Sequence, residues 1–121
     1  MSHGVEGKSH VGKLDPATAE QVAQTMQALS TPSRVRILCR LRESACSVGN
    51  LAVAVGMEQS AVSHQLRLLR HLGLVTSERQ GRQIIYALHD SHVGVLLAEA
   101  IYHVEHVRLA SPMKEPVERA S

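Results

Sequence analysis

Residues 47–73 read SVGNLAVAVGMEQSAVSHQLRLLRHLG and predict two helices joined by a tight turn. Ser47 is a favourable helix N-cap, Gly56 marks the turn, and Gly73 stands where helices commonly end. In the second segment the apolar residues recur at helical spacing and predict one buried face, made of Val62, Leu66, Leu69 and Leu72. A short helix, a glycine turn and a longer helix within about 25 residues is the helix-turn-helix arrangement.

The outer face of the second helix carries short polar and basic side chains. They are Gln59, Ser60, Ser63, His64, Gln65 and Arg67. Such side chains suit hydrogen bonding to base edges and phosphates in a major groove. A merely solvated helix face is usually richer in Glu–Lys pairs. We therefore predict that this face contacts double-stranded DNA.

Two β-branched segments, residues 74–79 and 82–88, flank the dipeptide Gln80-Gly81 and predict a β-hairpin. A hairpin directly after a recognition helix is a wing. Arg79 and Arg82 lie near its tip, within reach of the phosphate backbone or the minor groove. The fold class expected from these segments is mainly α with a small β-hairpin, a winged helix-turn-helix.

The rest of the chain divides into an arm, a folded domain and a tail. Asp15-Pro16 and Thr31-Pro32 each start a helix, with an N-cap followed by proline at the first helical position. Residues 1–14 and 108–121 lack periodicity and predict a flexible arm and a frayed tail around a domain at 15–107. The chain has 121 residues and a formal net charge of +2, which permits nucleic-acid binding without arguing for it.

The segment from Asp90 to Val107 predicts a long amphipathic helix. Its apolar residues recur at helical spacing and are Val93, Leu96, Leu97, Ala100, Ile101, Val104 and Val107. The polar exceptions stand at its two ends: Asp90 and His92 at the start, His103 and His106 at the finish. His92 and His103 share one face but lie about 16 Å apart along the axis, too far to bind one metal ion.

An antiparallel second copy of this helix would bring the two ends together. A two-fold dimer would then form two equivalent metal sites, each with Asp90 and His92 from one subunit and His103 and His106 from the other. Asp90 can join such a site only from a cap position just before the helix. The alternative is that Asp90 only caps the helix, and that His103 and His106 are ordinary residues favoured by the helix dipole near its C-terminus.

Taken together, these motifs resemble the ArsR/SmtB family of winged-helix metal-sensing repressors. The resemblance covers roughly residues 16–107 and rests on ALSTPSRVRIL, MEQSAVSHQLRLLRHLGLV, RQGRQIIYAL and the pattern of Asp90, His92, His103 and His106. HGVEG near the start and EAIYHVEH near the end resemble most the nickel/cobalt sensors of that family. The resemblance implies a homodimer that binds operator DNA without metal and releases it when metal binds, usually to derepress a metal exporter.

The sequence departs from other sensors of this family in ways that bear on the metal. Arsenic, cadmium and lead sensors commonly use a Cys-x-Cys pair, but SACSVGN contains only Cys46. A carboxylate with three imidazoles suits Zn(II), Ni(II) or Co(II). Four ligands satisfy tetrahedral Zn(II), whereas octahedral Ni(II) or Co(II) needs about two more, which His3 and the α-amine of Ser2 could supply. We expect Ni(II) or Co(II) as effector, with Zn(II) as the alternative.

Two other functions compete with metal sensing as interpretations of the sequence. Cys39 and Cys46 could sense oxidation in a DNA-binding repressor, although no basic neighbour evidently activates them. The segment His103-Val-Glu-His106 is not the H-E-x-x-H arrangement of metal hydrolases, so we do not expect an enzyme. No apolar run approaches the ~18 residues of a membrane span, and we expect a cytoplasmic protein with reduced cysteines and no membrane partner.

Overall fold

The structure, a computed structural model, describes residues 13–110. The helices are α1 (Pro16–Ala28), α2 (Pro32–Glu43), α3 (Val48–Val55), α4 (Gln59–His71) and α5 (Ser91–Ala110). The strands are β1 (Cys46–Ser47), β2 (Val75–Gln80) and β3 (Gln83–Leu88), and they form one antiparallel sheet in the order β1-β3-β2. The winged helix-turn-helix prediction is confirmed: α3 and α4 form the helix-turn-helix, and β2 and β3 form the wing.

Side-chain caps set the starts of three helices. Asp15, Thr31 and Ser47 each accept a hydrogen bond from the backbone N–H three residues further on, at 2.8, 3.3 and 3.2 Å. These bonds satisfy N–H groups that have no partner inside the helix. α3 ends at Gly56, whose φ of 68° is a left-handed conformation that glycine adopts without steric cost. The sharp turn between the two helices therefore follows from local sequence.

The core lies where α2, α3, α4 and the sheet meet. Its fully buried side chains are Ile37, Leu38, Leu51, Val62, Leu66, Leu69 and Val75. Leu72 was predicted to be buried but is 42% exposed. The reason is that α4 ends at His71 and the chain turns at Gly73, so that Leu74 enters the core in its place.

A third strand, β1, was not predicted because it is only two residues long. Cys46 pairs with Tyr86 and Ser47 with Ile85, on the edge of β3 opposite β2. Since Ser47 is also the N-cap of α3, this pairing fixes the start of the helix-turn-helix against the wing. The relative position of α3 and the hairpin is thus set by backbone hydrogen bonds.

The last helix is buried only over its first half. Val93 and Leu97 pack into the core, whereas Tyr102, Val104 and Leu109 are 65%, 54% and 81% exposed. Within residues 13–110, the second half of the predicted apolar stripe is largely uncovered: Ala100, Val104 and Val107 are exposed, and Ile101 is half-buried. The helix also continues past Val107, where the domain was predicted to end, because Arg108, Leu109 and Ala110 are good helix formers.

Over residues 13–110, the structure contains no helix that combines the length and the apolar character needed to span a lipid bilayer.

Candidate functional site

Asp90 occupies the cap position that the metal-site prediction required. It directly precedes Ser91, the first residue of α5, and its Oδ1 accepts hydrogen bonds from the backbone N–H groups of His92 (2.9 Å) and Val93 (3.4 Å). Its carboxylate is thereby held at the start of the helix, on the side of His92. The capping role and a ligand role are compatible, because a carboxylate offers about four lone-pair positions.

Two imidazoles lie beside this carboxylate. The Nδ1 atom of His92 is 3.6 Å from Asp90 Oδ1, and the Nδ1 atom of His89 is 3.1 Å from Oδ2. The pKa of Asp90 is lowered, mainly by the hydrogen bond from His89. Slight burial of the carboxyl group works in the opposite direction, and the backbone N–H groups of His92 and Val93 lower the pKa further. Asp90 is therefore favoured in its ionised form, the form that binds metal cations.

His103 and His106 lie one turn apart near the other end of α5, and both are exposed. The ring of Tyr102 stacks on that of His106, with 5.7 Å between centroids and 22° between planes. Because eleven residues of helix separate His92 from His103, the two pairs stand about 16 Å apart. Within residues 13–110 of one protomer, no three His, Cys, Asp or Glu side chains are grouped closely enough to hold a metal ion.

The structure thus places two of the four predicted ligands at each end of α5, and within one protomer the two pairs remain apart. The donor chemistry fits a divalent transition metal, since Asp90 supplies a carboxylate oxygen and the three histidines supply imidazole nitrogens. The other two predicted ligands, Ser2 and His3, lie outside the described residues.

The residues predicted to contact DNA lie mostly on one outer surface. α4 packs into the core through Val62, Leu66 and Leu69, which turns its opposite face outward. Six of the eight are exposed and two are half-buried: Gln59, Ser60, His64, Arg67, Arg79 and Arg82 in the first group, Ser63 and Gln65 in the second. The predicted surface is therefore available to a partner along α4 and the wing.

The recognition helix and the wing share a groove. Gln59 and Ser63 of α4, Arg82 at the turn of the hairpin, Asn50 of α3 and Tyr86 of β3 line a groove of about 400 Å³. The side chain of Arg82 and the first turn of the recognition helix thus line the same groove. A phosphate group seated here would be within reach of both elements.

Gln65 has a contact inside the protomer that sequence reasoning missed. Its Oε1 accepts a hydrogen bond of 2.8 Å from Nε of Arg34, on α2. The two residues are 31 positions apart, so no local pattern could have indicated the pair. This bond fixes the side-chain oxygen of Gln65 and ties the recognition helix to α2.

The surroundings of the cysteines do not favour redox sensing. Cys46 is buried in β1, and Cys39 is half-buried in α2. Burial raises the pKa of the Cys39 thiol, an effect that Arg42 partly offsets and Glu43 reinforces. Reactive cysteines instead have a lowered pKa and an electropositive setting, because the thiolate is the reactive form.

Comparison with known proteins agrees with this architecture. Residues 31–77 match the family model described as "Bacterial regulatory protein, arsR family". Over 117 residues the chain is 56% identical to the HTH-type transcriptional regulator NmtR of Mycobacterium tuberculosis, covering 96% of this chain and 98% of that protein.

Solved structures give the same result. The solution structure of apo-NmtR superimposes with a TM-score of 0.68 at 62% identity, covering 77% of this chain and 78% of that one. A homodimeric winged helix-turn-helix DNA-binding domain from Mycobacterium bovis superimposes with a TM-score of 0.70 at 29% identity, covering 77% and 86%. These relatives are named as DNA-binding or regulatory proteins rather than as enzymes.

Proposed function

The chain belongs to the ArsR family of bacterial regulatory proteins, and we propose that it is a metal-responsive transcriptional repressor. As a homodimer it binds operator DNA when metal-free and is released by Ni(II) or Co(II). The observation that carries the proposal is the split ligand set on α5. Asp90 and His92 lie within 3.6 Å at one end, and His103 and His106 lie one turn apart at the other.

A second copy of the chain completes each site. The exposed apolar side chains of α5 and α1 supply the surface for this copy; they are Tyr102, Val104 and Leu109 on α5 and Val22 and Met26 on α1. Covering them removes apolar area from water, which stabilises association. In an antiparallel pair of α5 helices, the Asp90 end of each protomer faces the His106 end of the other.

The number of ligands separates the candidate metals. The four α5 ligands satisfy tetrahedral Zn(II), whereas Ni(II) or Co(II) would also recruit the Ser2 amine and His3. The resemblance to nickel/cobalt sensors favours the six-ligand site. A zinc-responsive repressor that uses only the four α5 ligands is the second candidate, supported by the placement of those four residues at the helix ends.

The DNA surface in this proposal is the outer face of α4 together with the wing. The residues that face the major groove are Gln59, Ser60, Ser63, His64 and Arg67, while Arg79 and Arg82 reach the phosphate backbone or the minor groove. Gln65, whose Oε1 is bonded to Arg34, offers only its side-chain NH2 group to the DNA. The protein acts in the cytoplasm, and a metal exporter is the gene expected under its control.

The metal site and the DNA surface lie on different parts of the protomer, so metal binding must act on DNA binding from a distance. The four ligands Asp90, His92, His103 and His106 lie on α5 and at its N-cap, whereas the DNA-contacting residues lie on α4 and the wing, so release must be allosteric. Joining two α5 helices across the dimer changes the spacing of the paired recognition helices. Such coupling is typically worth ~1–3 kcal/mol, or about 5–150-fold in operator affinity.

The test measures binding to a DNA duplex selected from a random pool by the metal-free protein. Fluorescence anisotropy follows the complex as Ni(II), Co(II) or Zn(II) is added. His103→Ala should bind the duplex normally without metal but fail to release it. The matched control is His71→Ala, which removes an exposed histidine at the end of α4 and should behave as wild type.

Each result decides between the candidates. Release by Ni(II) or Co(II) but not Zn(II) supports the six-ligand site, and His3→Ala should then abolish release. Release by Zn(II) alone supports the four-ligand site. No release by any metal contradicts the proposal, and loss of metal-free DNA binding in His103→Ala would make α5 structural rather than sensory.

A further inference from the structure

His89 has no role in the ligand set or in the DNA surface, yet it contacts Asp90 directly. We propose that His89 is a positioning residue of the metal site, whose Nδ1–H holds the Asp90 carboxylate ready for the metal. The contact measures 3.1 Å from Nδ1 to Oδ2, with the His89 side chain 53% exposed. This inference rests on the proposed function, because it concerns the same site.

Among residues 13–110, the hydrogen bonds to Asp90 leave one of its lone-pair positions open. Oδ1 accepts hydrogen bonds from the N–H groups of His92 and Val93, and Oδ2 accepts one from His89. Of about four lone-pair positions on a carboxylate, the free one therefore belongs to Oδ2. This is the oxygen that His89 contacts, so His89 sets the direction in which Asp90 can offer its remaining pair.

The backbone of His89 is itself anchored to the core. Its N–H donates to the carbonyl of Leu74 at 2.9 Å, and the N–H of Leu74 donates to the carbonyl of Leu69 in α4, also at 2.9 Å. Leu69 and Leu74 are buried. The side chain of His89 therefore extends from a fixed point, and less conformational freedom is lost when it holds Asp90. The same bonds connect the start of α5 to the end of the recognition helix.

The hydrogen bond also fixes the state of the imidazole ring. An ionised carboxylate only accepts hydrogen bonds, so the neutral His89 ring must carry its proton on Nδ1. Hydrogen bonds from such neighbours orient metal-binding side chains, and their removal typically costs about 10–100-fold in metal affinity. A direct ligand role would instead use a ring nitrogen of His89 for the metal.

The first experiment needs no metal. Long-range ¹H–¹⁵N correlation spectra of the metal-free protein should show neutral His89 as the Nδ1–H tautomer. In Asp90→Ala the ring should revert toward the Nε2–H tautomer, since the acceptor is gone. An Nε2–H tautomer in the wild type would overturn the hydrogen-bond assignment regardless of any metal function.

The second experiment titrates Co(II) into the full chain and follows its d–d absorption. His89→Ala should bind Co(II) about 10–100-fold more weakly, with an unchanged spectrum and unchanged metal-free binding to the selected duplex. His89→Asn should recover most of the affinity, because its side-chain amide can replace the Nδ1–H donor. His71→Ala is the matched control, and equal melting temperatures exclude a loss of folding.

The outcomes separate the alternatives. Unchanged affinity in His89→Ala, or no recovery in His89→Asn, overturns the positioning role. A changed spectrum in His89→Ala overturns it in favour of direct ligation. If the wild type binds no Co(II), Ni(II) or Zn(II), the proposed function fails together with the metal role of His89, whereas the tautomer result still stands.

Discussion

Placing the two halves of the ligand set on different subunits predicts an unusual complementation between two inactive variants. His92→Ala removes a ligand from the start of α5, and His103→Ala removes one from its end. Each homodimer of either variant has both of its sites damaged. In a heterodimer of the two, one site loses both ligands and the other keeps all of its ligands. We expect the heterodimer to bind one metal ion with wild-type affinity.

The magnitude follows from the length of the helix. Eleven residues at 1.5 Å each separate His92 from His103 by about 16 Å. Two nitrogens bound to one ion at 2.0–2.1 Å stand no more than about 4 Å apart. The separation of His92 and His103 along the helix is about four times this limit, so the two residues of one protomer cannot bind the same ion. A heterodimer with one intact site out of two should therefore hold about half of the wild-type metal content.

The assay uses two affinity tags to purify the heterodimer from cells that express both variants. Metal content is measured by atomic emission after dialysis, and the two tagged homodimers serve as controls. The wild type carrying the same two tags sets the value for two intact sites. Release from the selected duplex, followed in parallel, reports whether one intact site is enough for the response.

A heterodimer that binds no more metal than either homodimer would refute the intersubunit site. That result would follow if each site took all of its ligands from one chain, because both sites would then lack a ligand in every combination. Wild-type metal content in both homodimers would also refute it, by showing that His92 and His103 are not ligands.

Three further predictions test the rest of the account. Arg82→Ala should weaken metal-free binding to the selected duplex and reduce the slope of log affinity against log salt by about 1 if it contacts one phosphate, as measured by anisotropy over a salt series. Val104→Glu should raise the dimer dissociation constant by about tenfold or more, as measured by ultracentrifugation, because a buried unpaired charge costs several kcal/mol. Gly94→Ala should raise the free energy of unfolding by about 0.5–1 kcal/mol, as measured by urea unfolding, because alanine favours the helix. The atom nearest to the added Cβ is Arg42 Cγ, at 3.3 Å, and it belongs to an exposed, flexible side chain that can move.

Matched variants make these results decisive. Val53→Glu places the same charge on α3, at a side chain that is 82% exposed, and should leave dimerisation unchanged. An unchanged salt slope in Arg82→Ala would remove this residue from the phosphate contacts. Destabilisation by Gly94→Ala would show that Arg42 and Leu88, whose Cδ1 lies 3.6 Å away, cannot yield to the added methyl group.

The sequence alone determined the features that depend on neighbours along the chain. The caps at Asp15, Thr31 and Ser47, the turn at Gly56 and the buried positions Val62, Leu66 and Leu69 were all predictable, because helix starts, tight turns and apolar faces depend on residues within a few positions. The placement of Asp90 just before its helix belongs to the same group. The spacing of the four candidate ligands along the chain, Asp90, His92, His103 and His106, was also predictable.

Only the tertiary structure decided the contacts between distant segments. The pairing of β1 with β3 and the bond between Arg34 and Gln65 depend on how the chain folds back on itself. The bond between His89 and Asp90 joins adjacent residues, yet its geometry depends on the anchoring of His89 to Leu74. Residue type and spacing do not predict in which direction a side chain such as that of His89 points, because packing sets side-chain orientation.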